Sequence, residues 1–220
     1  MFIGHYAVAL AAKKAAPRIS LGTLFIAAQF IDLLWPVLVL VGLEHVRIAP
    51  GDTVVTPLDF YHYPFSHSLL GVSIWAVLLG GLYFGIRRDL RAGIVIGLCV
   101  VSHWFLDLLT HRPDLPLAFG GETRVGLGLW NSLPGTLIIE IALYGLGLFL
   151  YLKTTKARNG VGRFGFWALI GTLFVIYIAN IFGPPPPDVS MIAYAGNLGW
   201  VFVFWAYWVD RNRVIQTGGD

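Results

Sequence analysis

Three ionisable side chains recur at four-residue intervals at the end of one apolar stretch of the chain. They are His103, Asp107 and His111. This spacing places side chains on the same face of a helix. Because the flanking residues are apolar, such a helix lies in lipid or in a protein core, where the three groups need a shared partner. Imidazole and carboxylate groups together suit Zn, Mn or Fe. The spacing therefore predicts a metal ion held by His103 and Asp107, with His111 as a further candidate.

The composition is that of a membrane protein. Of the 220 residues, 57% are hydrophobic and only 12% are charged, whereas a soluble domain carries about 25% charged residues. The mean hydropathy is +0.73. The net charge of +3 does not indicate nucleic-acid binding, because the basic residues fall in short loops between apolar segments. The single cysteine, Cys99, excludes a disulfide within the chain.

Six segments are long and apolar enough to cross a bilayer, for which about 20 residues are needed. They are Ser20–Gly42, Ser66–Ile86, Ala92–Thr110, Leu133–Leu152, Phe164–Phe182 and Met191–Val209. The first segment of the chain, Met1–Ala12, is apolar but too short to span, and it predicts a half-helix or a surface helix packed against the bundle. We therefore predict an all-α fold: one integral membrane domain over residues 1–220, with six transmembrane helices and a short N-terminal helix.

The charges of the loops predict the orientation. Loops rich in Lys and Arg alternate with acidic or mixed loops along the whole chain. The basic residues of the first set are Lys13, Lys14, Arg18, Arg87, Arg88, Arg91, Lys153, Lys156, Arg158, Arg163, Arg211 and Arg213. By the positive-inside rule these loops and the C-terminus are cytoplasmic, in an inner (cytoplasmic) membrane. The long loops Leu43–Phe65 and His111–Ser132 then lie on the other side.

Other polar residues of the spans reach the same depth as His103. At about 1.5 Å of rise per residue, Asp32 and His103 both lie roughly 17 Å from the cytoplasmic ends of their helices. Asp107 lies roughly 22 Å from the cytoplasmic end of the helix that it shares with His103. His67 begins a span that descends from the far side, slightly above Asp107. His5 joins these groups if the N-terminal helix inserts. The depths therefore predict one site in the outer half of the membrane, roofed by the long loops.

Four segments of the first half of the chain follow one another in an order that resembles a known family. They are Ile3-Gly4-His5, Phe30-Ile31-Asp32, His62 to Leu70 and Leu98 to Thr110. They are similar to the Gly-His, Pro-Asp-Ile-Asp-His, His-Arg-Gly-x-Thr-His-Ser-Leu and Ser-His-x-x-x-Asp-x-x-Thr segments of the YdjM-like family of predicted membrane-bound metal-dependent hydrolases. The resemblance implies a set of metal-site residues: His5, Asp32, His62, His67, His103 and Asp107.

The sequence departs from this family pattern at three places. Phe30 stands where the family has the first acid of its Asp-x-Asp segment, Leu33 replaces the His that follows that segment, and Tyr-Pro replaces Arg-Gly. These changes remove possible ligands. If the site holds several metal ions, His111 or Glu140 is the expected substitute.

These patterns favour a membrane-bound hydrolase. Its divalent metal, most simply Zn, would activate water for attack on a phosphoester or other ester of a lipid-like substrate, with Asp32, His103 and Asp107 as the catalytic residues. The family's His-x-x-x-Asp element is also similar to that of zinc-dependent phospholipases C, which implies phosphoester substrates.

Two alternatives stay open. The first is a metal-ion or proton-coupled transporter, because a helical His-x-x-x-Asp is also similar to the transport site of cation diffusion facilitators, which have six spans. The second is a noncatalytic membrane adaptor, whose polar groups serve only to pack helices together. The adaptor predicts that His and Asp variants lose stability without losing metal.

Overall fold

Helices make up most of the chain in the computed structural model, which describes residues 1–216. They are α1 (Ile3–Ala15), α2 (Leu21–Leu40), α3 (Pro64–His67), α4 (Leu69–Arg87), α5 (Leu90–Thr110), α6 (Leu133–Thr154), α7 (Phe166–Phe182), α8 (Val189–Asn197) and α9 (Gly199–Asp210). Within residues 1–216 the strands occur only as short antiparallel pairs. They are β1 (His45–Ile48) with β2 (Leu58–His62), β3 (Leu115–Pro116) with β4 (Arg124–Val125), and β5 (Thr155–Ala157) with β6 (Arg213–Ile215).

Six helical segments are long and apolar enough to cross a membrane, which confirms the predicted all-α architecture. They are α2, α4, α5, α6, the segment Val161–Phe182, which adds a π-helical turn to α7, and the segment Val189–Asp210, which joins α8 and α9. The predicted boundaries of the spans agree with the observed ones to within a few residues. One of the differences is informative. The second span begins at Leu69 and not at Ser66, because Pro64–His67 forms the separate turn α3.

Short polar side chains start most of the spans. The first free backbone N–H groups of a helix need acceptors, and a Ser or Asp just before the helix supplies one, worth about 1 kcal/mol. Such side chains accept a hydrogen bond from the backbone N–H three residues later at Ser20, Ser68, Asp89, Ser132 and Asp188. The loops therefore end at residues that fix where each helix begins.

The short helix α1 packs inside the bundle, against α6, α2 and α5. Ile3, Ala9 and Leu10 have no exposed surface, so α1 is a half-helix within the bundle and not a surface helix. It approaches α6 closely at Gly147, where an added Cβ would come within 2.8 Å of the Cα of Ala7. The absence of a side chain at this glycine lets the two backbones touch.

Helices α4 and α5 form a hairpin with equally close backbones. Arg88 makes the turn in the left-handed conformation, with φ of 54°. Further along, a Cβ added at Gly80 would lie 2.7 Å from the carbonyl oxygen of Gly93, and one added at Gly93 would lie 2.8 Å from that of Gly80. Small residues at a helix interface permit this approach in membranes, where packing and not the hydrophobic effect drives association.

Gly80→Val is therefore expected to destabilise the protein by about 1–3 kcal/mol, because the new side chain would meet backbone that cannot move aside. Thermal unfolding of the purified protein in detergent measures this. Gly81→Val is the matched control, since no atom of the described residues lies within 4 Å of a Cβ there. If both variants lost the same amount of thermal stability, helix propensity alone would explain the effect, and the close approach of the α4 and α5 backbones would not be needed.

The two long loops are joined at one end of the bundle by ion pairs. Arg112, which follows α5, contacts Asp52 at 2.8 Å, Asp114 at 3.3 Å and also Asp59. Asp59 lies on β2 and also pairs with Arg47 of β1. These contacts hold the β1–β2 hairpin against the loop between α5 and α6.

Candidate metal centre

Four side chains from three helices converge inside the bundle. His103 and Asp107 lie one turn apart on α5, Asp32 lies on α2, and His67 is the last residue of α3. His103 Nε2 is 3.2 Å from Asp107 Oδ2 and 3.5 Å from Asp32 Oδ1. His67 Nε2 is 3.8 Å from Asp107 Oδ2 and 3.7 Å from Asp32 Oδ1. Each imidazole therefore faces both carboxylates, and the structure brings these four predicted residues together.

Hydrogen bonds at Nδ1 of His103 and His67 determine which nitrogen of each neutral ring carries the proton. His103 Nδ1 is 2.9 Å from the carbonyl oxygen of Ala28, which can only accept, so Nδ1 carries the proton. His67 Nδ1 is 2.7 Å from Ser66 Oγ. The Ser66 hydroxyl donates to Glu44 at 2.5 Å, so its oxygen accepts from His67 Nδ1–H. In both neutral rings Nε2 then presents a lone pair to the centre, the arrangement of metal-binding histidines.

This donor set fits a divalent cation. Four-coordinate Zn with bonds of about 2.0–2.1 Å has donor–donor edges of about 3.3 Å, and the four imidazole–carboxylate distances of 3.2–3.8 Å are close to this value. The two carboxylates supply a charge of −2 that a divalent ion balances. His103 Nε2 is buried and has no hydrogen-bond partner among the described residues. A buried lone pair facing carboxylates is unfavourable unless a cation lies between them.

His5 approaches the centre from α1. Its ring stacks on that of His103, with the centroids 3.6 Å apart and the planes 2° from parallel. His5 Nε2 lies 3.1 Å from Asp107 Oδ1, and the ammonium of Met1 lies 2.7 Å from the same oxygen. His5, His103 and Asp107 thus form a second group of possible metal ligands. His103 also belongs to the group formed by Asp32, His67 and His103, and the two oxygens of Asp107 face different partners.

Glu140 has a structural role next to this group. Its Oε2 accepts hydrogen bonds from the backbone N–H groups of Phe2 at 2.9 Å and Gly4 at 3.2 Å. These are free donors at the start of α1, and a carboxylate there also interacts favourably with the helix dipole. Glu140 therefore caps α1 from α6, and among the described residues it lies outside the groups that could hold a metal ion.

The comparisons with known proteins give no match: no family model, no curated protein and no solved structure is similar to the chain. The resemblance to the YdjM-like family stays a prediction. The chemistry of the centre is therefore inferred from its geometry, above all from the two Nε2 atoms that face Asp32 and Asp107.

The structure does not bring His62 to the centre, although the family resemblance implied it. His62 is exposed on β2, where it pairs with His45 of β1 and stacks on its ring with centroids 5.5 Å apart. The register of the hairpin therefore determines the surroundings of His62. Since this register depends on contacts between two strands, the spacing from His62 to His67 could not reveal it.

His111 also lies outside both groups, because it follows the last turn of α5 and has its own partners. Its Nδ1 is 2.9 Å from Asp114 Oδ1, and the Tyr63 hydroxyl donates to the same oxygen at 2.9 Å. Burial lowers the pKa of His111, and the bond to Asp114 partly opposes this. Burial and the bond to Asp114 both raise the pKa of Tyr63. The three groups form a buried network beside the loops.

Two residues close to the centre are not identified by the sequence analysis. Ser66 Oγ lies 2.7 Å from His67 Nδ1. Glu44 belongs to the loop Leu43–Phe65, and the structure shows its side chain completely buried. The available signal for Ser66 was its position next to His67. No local pattern connects Glu44 to a residue that follows it by 22 positions.

Proposed function

We propose that the chain is a membrane-bound, metal-dependent hydrolase of the YdjM-like type, acting on a phosphoester or other ester of a lipid-like substrate. The observation that carries this proposal is that the Nε2 atoms of two imidazoles each lie 3.2–3.8 Å from carboxylate oxygens of both Asp32 and Asp107. Zn is the proposed metal because imidazole and carboxylate donors at these spacings suit it.

The four side chains differ in exposure, which suggests separate roles. The exposed fraction of the side chain is 6% for His67, 0% for His103 and 2% for Asp107, but 39% for Asp32. We assign the three buried side chains to hold the metal. Asp32 lies on the open side, where it can orient a water molecule and accept its proton. When bound, the metal would supply Lewis acidity and lower the pKa of that water.

The surroundings support a substrate with an apolar part. The helices α2 and α5, which carry three of the four side chains, are membrane-spanning by length and hydropathy, so a substrate that reaches the centre also meets apolar surface. The charges of the loops support an inner-membrane location with a cytoplasmic C-terminus, which would open the centre towards the outer leaflet. A headgroup ester of a lipid has an apolar part and is present in the outer leaflet, so it matches both the apolar surface and the direction in which the centre would open.

Asp32→Asn tests the assignment. We expect hydrolysis to fall by about 10²–10⁴-fold, the usual contribution of a general base, while the protein keeps its metal. The assay uses purified protein in detergent, stripped with a chelator and reloaded with Zn, on bis(p-nitrophenyl) phosphate and on phospholipid micelles. Absence of hydrolysis by the reloaded wild type would contradict the proposal, and zinc flux in proteoliposomes would then favour a transporter. Hydrolysis that survives metal removal would also contradict it.

A further inference from the structure

Glu44 is a completely buried carboxylate that the proposed reaction does not use. It lies between α2 and β1, and its exposed fraction is 0%. Its Oε1 accepts hydrogen bonds from the backbone N–H groups of Phe65 at 2.7 Å and Ser66 at 2.8 Å. Its Oε2 accepts from the Ser66 hydroxyl at 2.5 Å. Burying a carboxylate is unfavourable unless donors compensate it, and here all three donors come from α3.

The direction of these bonds leaves one arrangement of protons. A carboxylate can only accept, so the Ser66 hydroxyl donates to Glu44. With its proton used in this way, Ser66 Oγ can only accept from His67, whose Nδ1 lies 2.7 Å away. The proton of the neutral His67 ring is therefore on Nδ1, and the lone pair of Nε2 points at Asp32 and Asp107. The chain Glu44–Ser66–His67 ends at the metal centre.

A capping role for Ser66 does not account for this geometry. Ser68 already caps α4, with its Oγ 3.0 Å from the N–H of Gly71. Ser66 itself is buried, with an exposed fraction of 0%. Both bonds of its hydroxyl oxygen that the structure gives join side chains, Glu44 and His67. Its side chain thus connects these two residues.

We propose that Glu44 and Ser66 are positioning residues that fix the tautomer and the ring orientation of His67. The proposal rests on the metal centre proposed above and deepens it. Outer partners of this kind orient metal-binding histidines, and their loss usually lowers metal affinity by about 10–100-fold. Because Glu44 lies in the loop between α2 and β1, this loop and not only the membrane-spanning helices determines the geometry of the centre.

Ser66→Ala tests the proposal with two readouts. The first is Zn affinity, measured by competition with a chelator of known affinity, which is expected to fall by about 10–100-fold. The second is the ¹⁵N spectrum of the His67 ring in metal-free protein, assigned with His67→Ala, in which the Nδ1–H form is expected to lose its dominance. Ser66→Thr, which keeps the hydroxyl, is expected to restore both, and Glu44→Gln supplies a second variant if Ser66→Ala does not fold.

Ser68→Ala is the matched control, because the neighbouring Ser68 side chain accepts its hydrogen bond from the N–H of Gly71 at the start of α4. We expect it to lower thermal stability but to leave both the His67 tautomer and the Zn affinity unchanged. If Ser66→Ala and Glu44→Gln leave either readout at the wild-type value, the positioning role is wrong. If the wild type binds no Zn, the proposed metal centre fails, while the tautomer in metal-free protein still decides whether the hydrogen-bonded chain exists.

Discussion

His103→Ala is expected to abolish stoichiometric Zn binding, with a fall in affinity of about 10²–10⁴-fold. Removing one member of a buried charged set costs about 3–5 kcal/mol, because the groups that remain are left uncompensated. His103 is the residue that belongs to both groups of possible ligands, so no neighbouring donor replaces it. Elemental analysis of the purified protein measures the stoichiometry, and chelator competition measures the affinity.

The same variant should also lose stabilisation by metal. A ligand present at about 1,000 times its Kd stabilises the folded state by about 4 kcal/mol. We therefore expect Zn to raise the thermal unfolding temperature of stripped wild-type protein and to leave that of His103→Ala unchanged. His62→Ala is the control, because His62 is exposed on β2. A metal-free wild type, or a His62→Ala variant that loses as much metal as His103→Ala, would contradict the proposed centre.

Gly147→Val should displace α1 from the bundle. The added side chain would enter the backbone of α1 at Ala7, with the first added atom only 2.8 Å from its Cα. Overpacking costs about 1–3 kcal/mol where neighbours can adjust and more where they are backbone, so we expect a loss of about 3 kcal/mol or more. Thermal or denaturant unfolding in detergent measures it. Zn affinity should fall as well, because α1 carries His5 against Asp107 and His103.

Gly145→Val controls for the change of residue type on the same helix. Gly145 is exposed, and no atom of the described residues lies within 4 Å of a Cβ there. This variant should keep wild-type stability and wild-type Zn affinity. If Gly147→Val retained full stability, α1 would not pack in the observed position. If it lost stability but kept its Zn affinity, the metal centre would not depend on α1.

The sequence predicted those parts of the structure that follow from local periodicity. A run of about 20 apolar residues specifies a span by itself, and the four-residue spacing of His103 and Asp107 specifies a shared face. Matching depths then brought Asp32 and His67 to the same level. The break between α8 and α9 at Leu198 was not predicted, because apolar residues continue through it.

The parts that could not be predicted depend on contacts between distant segments. The pairing of His62 with His45 follows from the register of a hairpin, and the capping of α1 by Glu140 follows from the packing of two helices. The contact of Glu44 with Ser66 requires the loop after α2 to fold back on α3. No pattern in a single sequence encodes these pairings.

The contacts of Arg112 between the two long loops differ in kind from the contacts between the membrane-spanning helices. The helices are held by close backbone packing, as at Gly80 and Gly93, and dissolved salt does not weaken this packing. The charged part of the joint between the two loops is the Arg112 guanidinium, which contacts three carboxylates and belongs to a side chain with a third of its surface exposed. Mobile ions screen such partly exposed charges over about 8–10 Å at physiological concentrations. High ionic strength should therefore weaken the ion pairs between the two long loops, while the membrane-spanning helices keep their arrangement.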